Sequence, residues 1–153
     1  MSALELKVPP LLVALIVALA MGGIASFTPT LDIDRMLRAA VAIVVAAAGL
    51  AVGLAGILAF RRATTTVNPM TPGNASSLVT GGIYRVTRNP MYVGVAIVLV
   101  AWAVFLASPW ALVGVLAFAA YLTRFQIVPE EKALASRFGD AYASYAARVR
   151  RWL

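Results

Sequence analysis

Charged residues are absent from three long stretches of the chain and are concentrated in the segments between them. The uncharged stretches are residues 8–31, 39–60 and 89–123. A helix that crosses ~30 Å of hydrocarbon needs about 20 mostly apolar residues. The third stretch is too long for one crossing, and Ser108-Pro109 divides it into two halves joined by a tight turn. The pattern therefore predicts four membrane-spanning helices, at about 9–27, 37–60, 91–107 and 109–128.

The composition excludes a soluble domain and several kinds of catalytic site. Hydrophobic residues make up 62% of the 153 residues, against about 45–50% in ordinary globular proteins, and a soluble fold of this length would leave much of that surface in water. The sequence has no cysteine and no histidine. This excludes disulfides, thiol nucleophiles, iron–sulfur centres and the commonest general base. We therefore expect one membrane-embedded domain over residues 1–153, without a metal site.

The net charge of +7 is distributed unevenly along the chain. Four arginines and no acid lie in the loop 61–90, between the second and third predicted helices. Five more basic residues follow the fourth helix: Lys132, Arg137, Arg148, Arg150 and Arg151. Basic residues of membrane proteins collect on the cytoplasmic side, so the charge predicts membrane lipids rather than nucleic acid as partners. We expect the loop and both termini in the cytoplasm, in the inner (cytoplasmic) membrane of a bacterium.

The last segment of the chain, residues 130–152, is too charged to cross a membrane. Its apolar residues recur at steps of three or four: Leu134, Phe138, Ala141, Tyr145, Val149 and Trp152. This spacing predicts an amphipathic helix at the membrane–water interface. The expected fold is therefore all-α, a polytopic membrane protein with four transmembrane helices, a cytoplasmic catalytic loop and a C-terminal amphipathic interfacial helix.

Gly49 and Gly53, in the second predicted helix, have the GxxxG spacing that lets two helix backbones approach closely. One interpretation is a homodimer face. The interpretation we favour is close packing against another helix of the same chain.

Polar residues with complementary chemistry are expected to meet at the cytoplasmic mouth of the bundle. The predicted lengths of helices three and four place residues 89–92 and the pair Glu130-Glu131 at the same depth on neighbouring helices. The pair has a simpler explanation as acids at a helix N-terminus. Arg124, inside the fourth predicted helix, either reaches the nearby surface with its long side chain or has a function.

An ordered set of motifs carries a resemblance to a known superfamily. The set comprises residues 82–94 (GIYRVTRNPMYVG), the pair Glu130-Glu131 and residues 138–142 (FGDAY). Together they resemble the isoprenylcysteine carboxyl methyltransferase and phospholipid methyltransferase superfamily, which consists of integral membrane enzymes that use S-adenosylmethionine. The resemblance extends over about residues 68–152, and the first two predicted helices carry no motif.

The resemblance implies which residues contact the cofactor and the acceptor. The implied cofactor contacts are Leu78, Val79, Tyr84, Asn89, Pro90, Met91, Tyr92 and Glu130. Isoprenylcysteine enzymes have histidine at the position of Asn89 and a substrate-holding arginine near Gln126. Because Gln126 is not basic, we expect Arg124 to take that role, with Arg88 and Glu131 as the other catalytic candidates.

The resemblance therefore implies methyl transfer from S-adenosylmethionine to a lipophilic acceptor: an isoprenylcysteine-like carboxylate, a phospholipid amine or another small lipophilic molecule. Two other functions are considered. A small four-helix exporter needs an acid within the bilayer, whereas all six acids here lie at or beyond the predicted helix ends. A non-catalytic membrane scaffold with the same fold would be distinguished by a measurement of cofactor binding.

Overall fold

A computed structural model describes residues 5–63 and 77–153, and this part of the chain is helical without a β-strand. The helices are α1 (Pro10–Phe27), α2 (Arg35–Arg62), α3 (Pro90–Leu106), α4 (Leu112–Leu122) and α5 (Val128–Arg148). Short 3-10 helices cover Gly82–Arg85 and Pro109–Ala111. Residues 64–76, which are the turn-rich part of the predicted cytoplasmic loop and include the start of the resemblance, lie outside the described residues.

The helix boundaries follow from local chemistry. Pro10 and Pro90 each open a helix, at a position where the missing amide costs nothing. α2 begins two residues before its predicted start because the Asp34 carboxylate accepts hydrogen bonds from the amides of Met36 and Leu37, at 3.0 and 2.9 Å. α3 ends at Ala107, which adopts a left-handed conformation (φ 50°) before the turn into α4.

Within the described part of the chain, three helical stretches are long and apolar enough to cross a membrane. They are α1, α2 and the continuous helical stretch Pro109–Arg148. α3 is also apolar but has 17 residues, a length of ~25 Å at 1.5 Å per residue. Large apolar side chains on the outer faces of α1 and α2 are exposed, among them Leu15, Leu19 and Leu54. This outer surface suits lipid rather than water, as expected for a membrane protein.

α2 and α3 form the tightest helix pair, because glycines let their backbones touch. A Cβ atom added to Gly94 would lie 2.6 Å from the carbonyl oxygen of Gly49 and 2.8 Å from the amide nitrogen of Gly53. Gly56 lies against Pro90 in the same way, with a Cβ–Cγ distance of 3.0 Å. The GxxxG pair therefore packs against a helix of its own chain, and it fixes the start of α3 against the end of α2.

Different parts of the chain meet at the two ends of the helix bundle. At one end the α1–α2 connection meets the α3–α4 turn, where the Leu31 amide donates to the carbonyl of Ala107 at 2.8 Å. At the other end α2 stops, α3 starts and α4 gives way to α5. The polar motifs of the sequence all fall at this second end, which we call the motif end.

α4 continues into α5 through one π-helical turn, Thr123–Ile127, with no break at the predicted boundary near residue 128. Pro129 has no amide, so the Phe125 carbonyl lacks the α-helical donor four residues later, and a proline ring in a helix crowds that carbonyl. The widened turn accommodates the ring. The amide of Leu6, from the segment before α1, donates to the Phe125 carbonyl at 3.1 Å.

The C-terminal helix differs from the single amphipathic helix expected over residues 130–152. Gly139 has φ 50° and ψ −125°, which interrupts the helix and rotates its C-terminal part. Tyr142 is consequently buried, whereas Ala141, which the uninterrupted spacing placed on the apolar face, is exposed. The helix ends at Arg148, and Trp152 lies in a non-helical tail.

Candidate active site

A carboxylate at the motif end joins the first turn of α3 to the first turn of α5. Oε1 of Glu130 accepts two hydrogen bonds of 2.6 Å, from the Tyr92 hydroxyl and from Nε2 of Gln126. Gln126 is buried, and it lies four residues before Glu130, which places both on one helix face. Glu130 lies beyond the apolar part of the helix, and burial raises the pKa of its carboxyl to about 7, although both hydrogen bonds act to lower it.

Tyr84 is a second aromatic side chain at the motif end. The 3-10 helix Gly82–Arg85 presents Tyr84, which is buried against Phe60 with ring centroids 5.4 Å apart. The Tyr145 hydroxyl donates to the Tyr84 carbonyl at 2.8 Å. Burial raises the pKa of the Tyr84 phenol well above its usual range, with smaller contributions from Tyr145 and Glu130. Tyr84 and Glu130 therefore lie within electrostatic reach of each other.

The second acid, Glu131, is held by two arginines. Arg151 donates to both oxygens of Glu131, from Nε at 2.9 Å and from Nη2 at 2.7 Å. Arg88 lies 3.2 Å from Glu131 and donates to the Tyr142 hydroxyl at 3.3 Å. Nε of Arg88 is buried and has no hydrogen-bond partner among residues 5–63 and 77–153.

The residues before α3 are bound to the C-terminal tail. The Arg88 amide donates to the Arg150 carbonyl at 3.0 Å, and Nδ2 of Asn89 donates to the Arg151 carbonyl at 2.9 Å. The Thr87 hydroxyl is 3.3 Å from the same carbonyl. The side-chain amide of Asn89 therefore stabilises the fold, in addition to any contact that it makes with a ligand.

An open cleft of about 410 Å³ lies between the end of α2 and the segment Leu78–Gly82. This volume is within the range of small-molecule sites. Its lining combines apolar side chains with exposed backbone: Ala59, Arg62, Ala63, Leu78, Val79, Thr80, Gly81 and Gly82. Leu78 and Val79 also pack against the buried cluster of Tyr84, Tyr142 and Tyr145. No group of three or more acidic residues among the described residues is placed to hold a metal ion.

The structure brings most of the predicted site residues together at the motif end. Those that meet there are Leu78, Val79, Tyr84, Arg88, Asn89, Pro90, Met91, Tyr92, Glu130 and Glu131. Arg124 is not among them. Its side chain is 60% exposed and pairs with Glu5 at 3.2 Å. Arg124 and Gln126 are two residues apart, about 200° around a helix, so they face opposite sides.

Four residues of the site were not predicted as such from the sequence. Gln126 has a detectable signal, because it precedes Glu130 by four residues on a helix. Tyr145 stands on the predicted apolar face, which concealed its hydrogen bond. Tyr142 ends the motif at residues 138–142, but its contact with Arg88 depends on the break at Gly139. Arg151 has no local signal, because its contacts depend on the path of the tail.

Comparison of the sequence with known proteins identifies the family of this chain. A sequence profile of the phospholipid methyltransferase family matches residues 37–141, well over half of the chain. The chain belongs to the phospholipid methyltransferase family. The match begins in α2, so the family region includes a helix in which no motif was apparent. The resemblance to the isoprenylcysteine and phospholipid methyltransferase superfamily is thereby confirmed.

Two relatives of this phospholipid methyltransferase family member cover parts of the chain. An uncharacterised protein of Haemophilus influenzae is 43% identical over 63 residues, 41% of this chain and 100% of that protein. Protein-S-isoprenylcysteine O-methyltransferase B of Arabidopsis thaliana is 40% identical over 75 residues, 47% of this chain and 36% of that protein. The matched region thus covers about a third of the Arabidopsis relative. No solved structure matches the chain significantly.

Proposed function

We propose that this membrane protein transfers a methyl group from S-adenosylmethionine to a lipophilic acceptor. The observation that carries the proposal is the Glu130 carboxylate, which accepts hydrogen bonds of 2.6 Å from Tyr92 and Gln126. The chain belongs to a methyltransferase family. In it, this arrangement places a hydrogen-bond-accepting carboxylate next to the aromatic ring of Tyr92, where α3 meets the π-helical turn and α5.

The residues present suit S-adenosylmethionine. When bound, it supplies an electrophilic methyl group on a sulfonium cation. Glu130 accepts hydrogen bonds from the ribose hydroxyls or the ammonium group. Tyr84 and Tyr92 provide aromatic faces for the adenine or the cation. The remaining proposed contacts are apolar or backbone: Leu78, Val79, Asn89, Pro90 and Met91.

Catalysis then requires alignment and exclusion of water rather than a covalent nucleophile. A bond forms between the acceptor heteroatom and the methyl carbon as the sulfur–carbon bond breaks, and the sulfonium becomes a neutral thioether. A carboxylate acceptor becomes a methyl ester, whereas an amine acceptor gains a methyl group and releases a proton. Arg88 and Glu131 are proposed to position the acceptor head group.

The acceptor is proposed to come from the bilayer. We take α3 as a fourth span, with the motif end and both termini in the cytoplasm of a bacterial cell, where S-adenosylmethionine is available. The apolar outer surfaces of α1 and α2 support an embedded position, and the charge distribution supports the orientation. A phospholipid amine and an isoprenylcysteine carboxylate are the two acceptor classes that the family suggests.

The first test is binding and transfer by the intact protein. In detergent, calorimetry should give near one-to-one binding of S-adenosylmethionine and S-adenosylhomocysteine. With labelled S-adenosylmethionine, protein in vesicles containing phosphatidylethanolamine or N-acetyl-S-farnesylcysteine should put label into the organic phase. Absence of both heat and thermal stabilisation would contradict the proposal and favour a scaffold. Label confined to water would contradict the lipophilic acceptor.

Arg124→Leu is expected to keep cofactor affinity and methyl transfer within about twofold of the unchanged protein. The reason is that the Arg124 side chain is 60% exposed and its guanidinium pairs with Glu5. Surface ion pairs contribute little to stability. The measurement is the rate of label transfer in vesicles, with Arg88→Leu as the matched comparison, which should be strongly impaired. Loss of transfer in Arg124→Leu would restore the role that the sequence suggested for this arginine.

A further inference from the structure

The C-terminal tail, residues 149–153, makes contacts at the motif end that the proposed function does not use. After α5 ends at Arg148, the tail runs back over the start of α3. Trp152 anchors it, because its ring nitrogen donates to the Thr123 hydroxyl at 3.0 Å and its ring packs against the main apolar core. The tail is therefore a fixed part of the fold on both sides of Arg151.

Arg151 contacts the two halves of the site through two different groups. Its carbonyl accepts from Asn89 at 2.9 Å and from Thr87 at 3.3 Å, on the side of the motif that precedes α3. Its guanidinium binds both oxygens of Glu131 on α5, at 2.9 and 2.7 Å. The first contact belongs to the backbone and survives any substitution of the side chain. The second depends on the planar fork of arginine.

The guanidinium contact restricts a carboxylate that is otherwise held only loosely. Glu131 is 18% exposed and Arg88 is 14% exposed, so this ion pair is largely shielded from solvent. Without Arg151, the ion pair that Glu131 keeps among the described residues is the single 3.2 Å contact with Arg88. A bidentate pair fixes the plane of a carboxylate, whereas a single contact leaves it free to rotate. Rotation of Glu131 also changes how Arg88 is directed.

We propose that Arg151 is a positioning residue, whose guanidinium fixes Glu131 and Arg88 on the acceptor side while its carbonyl fixes Asn89 on the cofactor side. This role rests on the proposed function. The guanidinium of Arg151 serves alignment of the acceptor, and its carbonyl serves the cofactor side. Removing only the side chain affects alignment of the acceptor, and removing the tail affects binding of the cofactor as well.

The test compares three variants of the full-length protein in vesicles. Arg151→Ala removes the fork, Arg151→Lys keeps the charge without the fork, and Arg150→Ala is the matched control, since the Arg150 side chain is exposed and only its backbone carbonyl contacts the motif. Affinity for S-adenosylhomocysteine is measured by calorimetry. The kcat is measured with labelled S-adenosylmethionine and either phosphatidylethanolamine vesicles or N-acetyl-S-farnesylcysteine, whichever the unchanged protein methylates.

Arg151→Ala should lower kcat by roughly 10- to 100-fold, with the Kd for S-adenosylhomocysteine within about twofold of the unchanged protein. Arg151→Lys should restore part of the loss, and Arg150→Ala should match the unchanged protein. Deletion of residues 151–153 should weaken S-adenosylhomocysteine binding as well.

Equal kcat in Arg151→Ala and Arg150→Ala would overturn the positioning role and leave the proposed function intact. Parallel losses of kcat, affinity and thermal stability in Arg151→Ala would mean a merely structural contact. If the unchanged protein binds no S-adenosylhomocysteine, the proposed function itself fails, and the positioning role with it.

Discussion

Glu130→Ala is expected to weaken binding of S-adenosylmethionine by about 100-fold. The substitution removes the acceptor of the ligand and leaves the Tyr92 hydroxyl and the Gln126 amide without their 2.6 Å partner. Hydrogen bonds to charged groups contribute ~1.5–3 kcal/mol each, so one lost ligand bond accounts for roughly 10- to 100-fold. Calorimetry measures the effect. Lys132→Ala, two residues further along α5 and exposed, is the control and should bind normally. Equal effects would mean that the acidic pair only caps a helix.

The same carboxylate predicts a pH dependence. Because burial raises the pKa of Glu130 to about 7, the group is protonated below that pH and ionised above it. Only the ionised form accepts from two ligand donors or attracts the ammonium group. Affinity should therefore fall about tenfold per pH unit below 7 and level off above it. Glu130→Gln should bind weakly at every pH. A flat profile in the unchanged protein would show that Glu130 does not contact the ligand.

Gly94→Ala is expected to destabilise the protein by about 1–3 kcal/mol or more. The added Cβ would lie 2.6 Å from the Gly49 carbonyl and 2.8 Å from the Gly53 amide, and both of these are backbone atoms that cannot turn aside. α2 and α3 must separate, which also moves Pro90 and Tyr92 away from the rest of the site. The measurement is thermal unfolding in detergent, together with affinity for S-adenosylhomocysteine.

The matched control is Gly53→Ala on the facing helix. A Cβ atom at Gly53 meets no atom of residues 5–63 and 77–153 within 4 Å. This variant should therefore unfold at the temperature of the unchanged protein, or slightly above it, because alanine favours helix. Unfolding of both variants at the same temperature would mean that the backbones of α2 and α3 are not in direct contact.

Much of the helical framework could be predicted because its signals are local. Apolar length, the prolines that open α1 and α3, and the acid at Asp34 each act within one turn of the chain. The approach of Tyr92 to Glu130 followed from helix lengths alone, because two adjacent helices of similar length return the chain to the same depth. The α2 boundary shifted only because the cap residue lies outside the apolar run.

The remaining features depend on helical phase and on contacts between distant residues. The π-helical turn between α4 and α5 could not be predicted, because a proline at position 129 is equally compatible with the helix boundary expected near residue 128. The burial of Tyr142 depends on the backbone of Gly139, and a glycine within a helix is compatible with either a break or continuity. Arg151 and Asn89 are in contact although they lie 62 positions apart in the chain. No local sequence pattern around either residue indicates the other.

The π-helical turn at Thr123–Ile127 also affects where this part of the chain can change in length during evolution. A π-helical turn holds one residue more than an α-helical turn. Removal of one residue there would restore ordinary α-helix and leave α5 close to its present orientation, so Glu130 would still face Tyr92. Removal of one residue from the α-helical part, α4, would instead turn α5 by about 100° and carry Glu130 away from Tyr92. A gap in a sequence alignment at Thr123–Ile127 is therefore compatible with the same site, whereas a gap of one residue in α4 indicates a changed site.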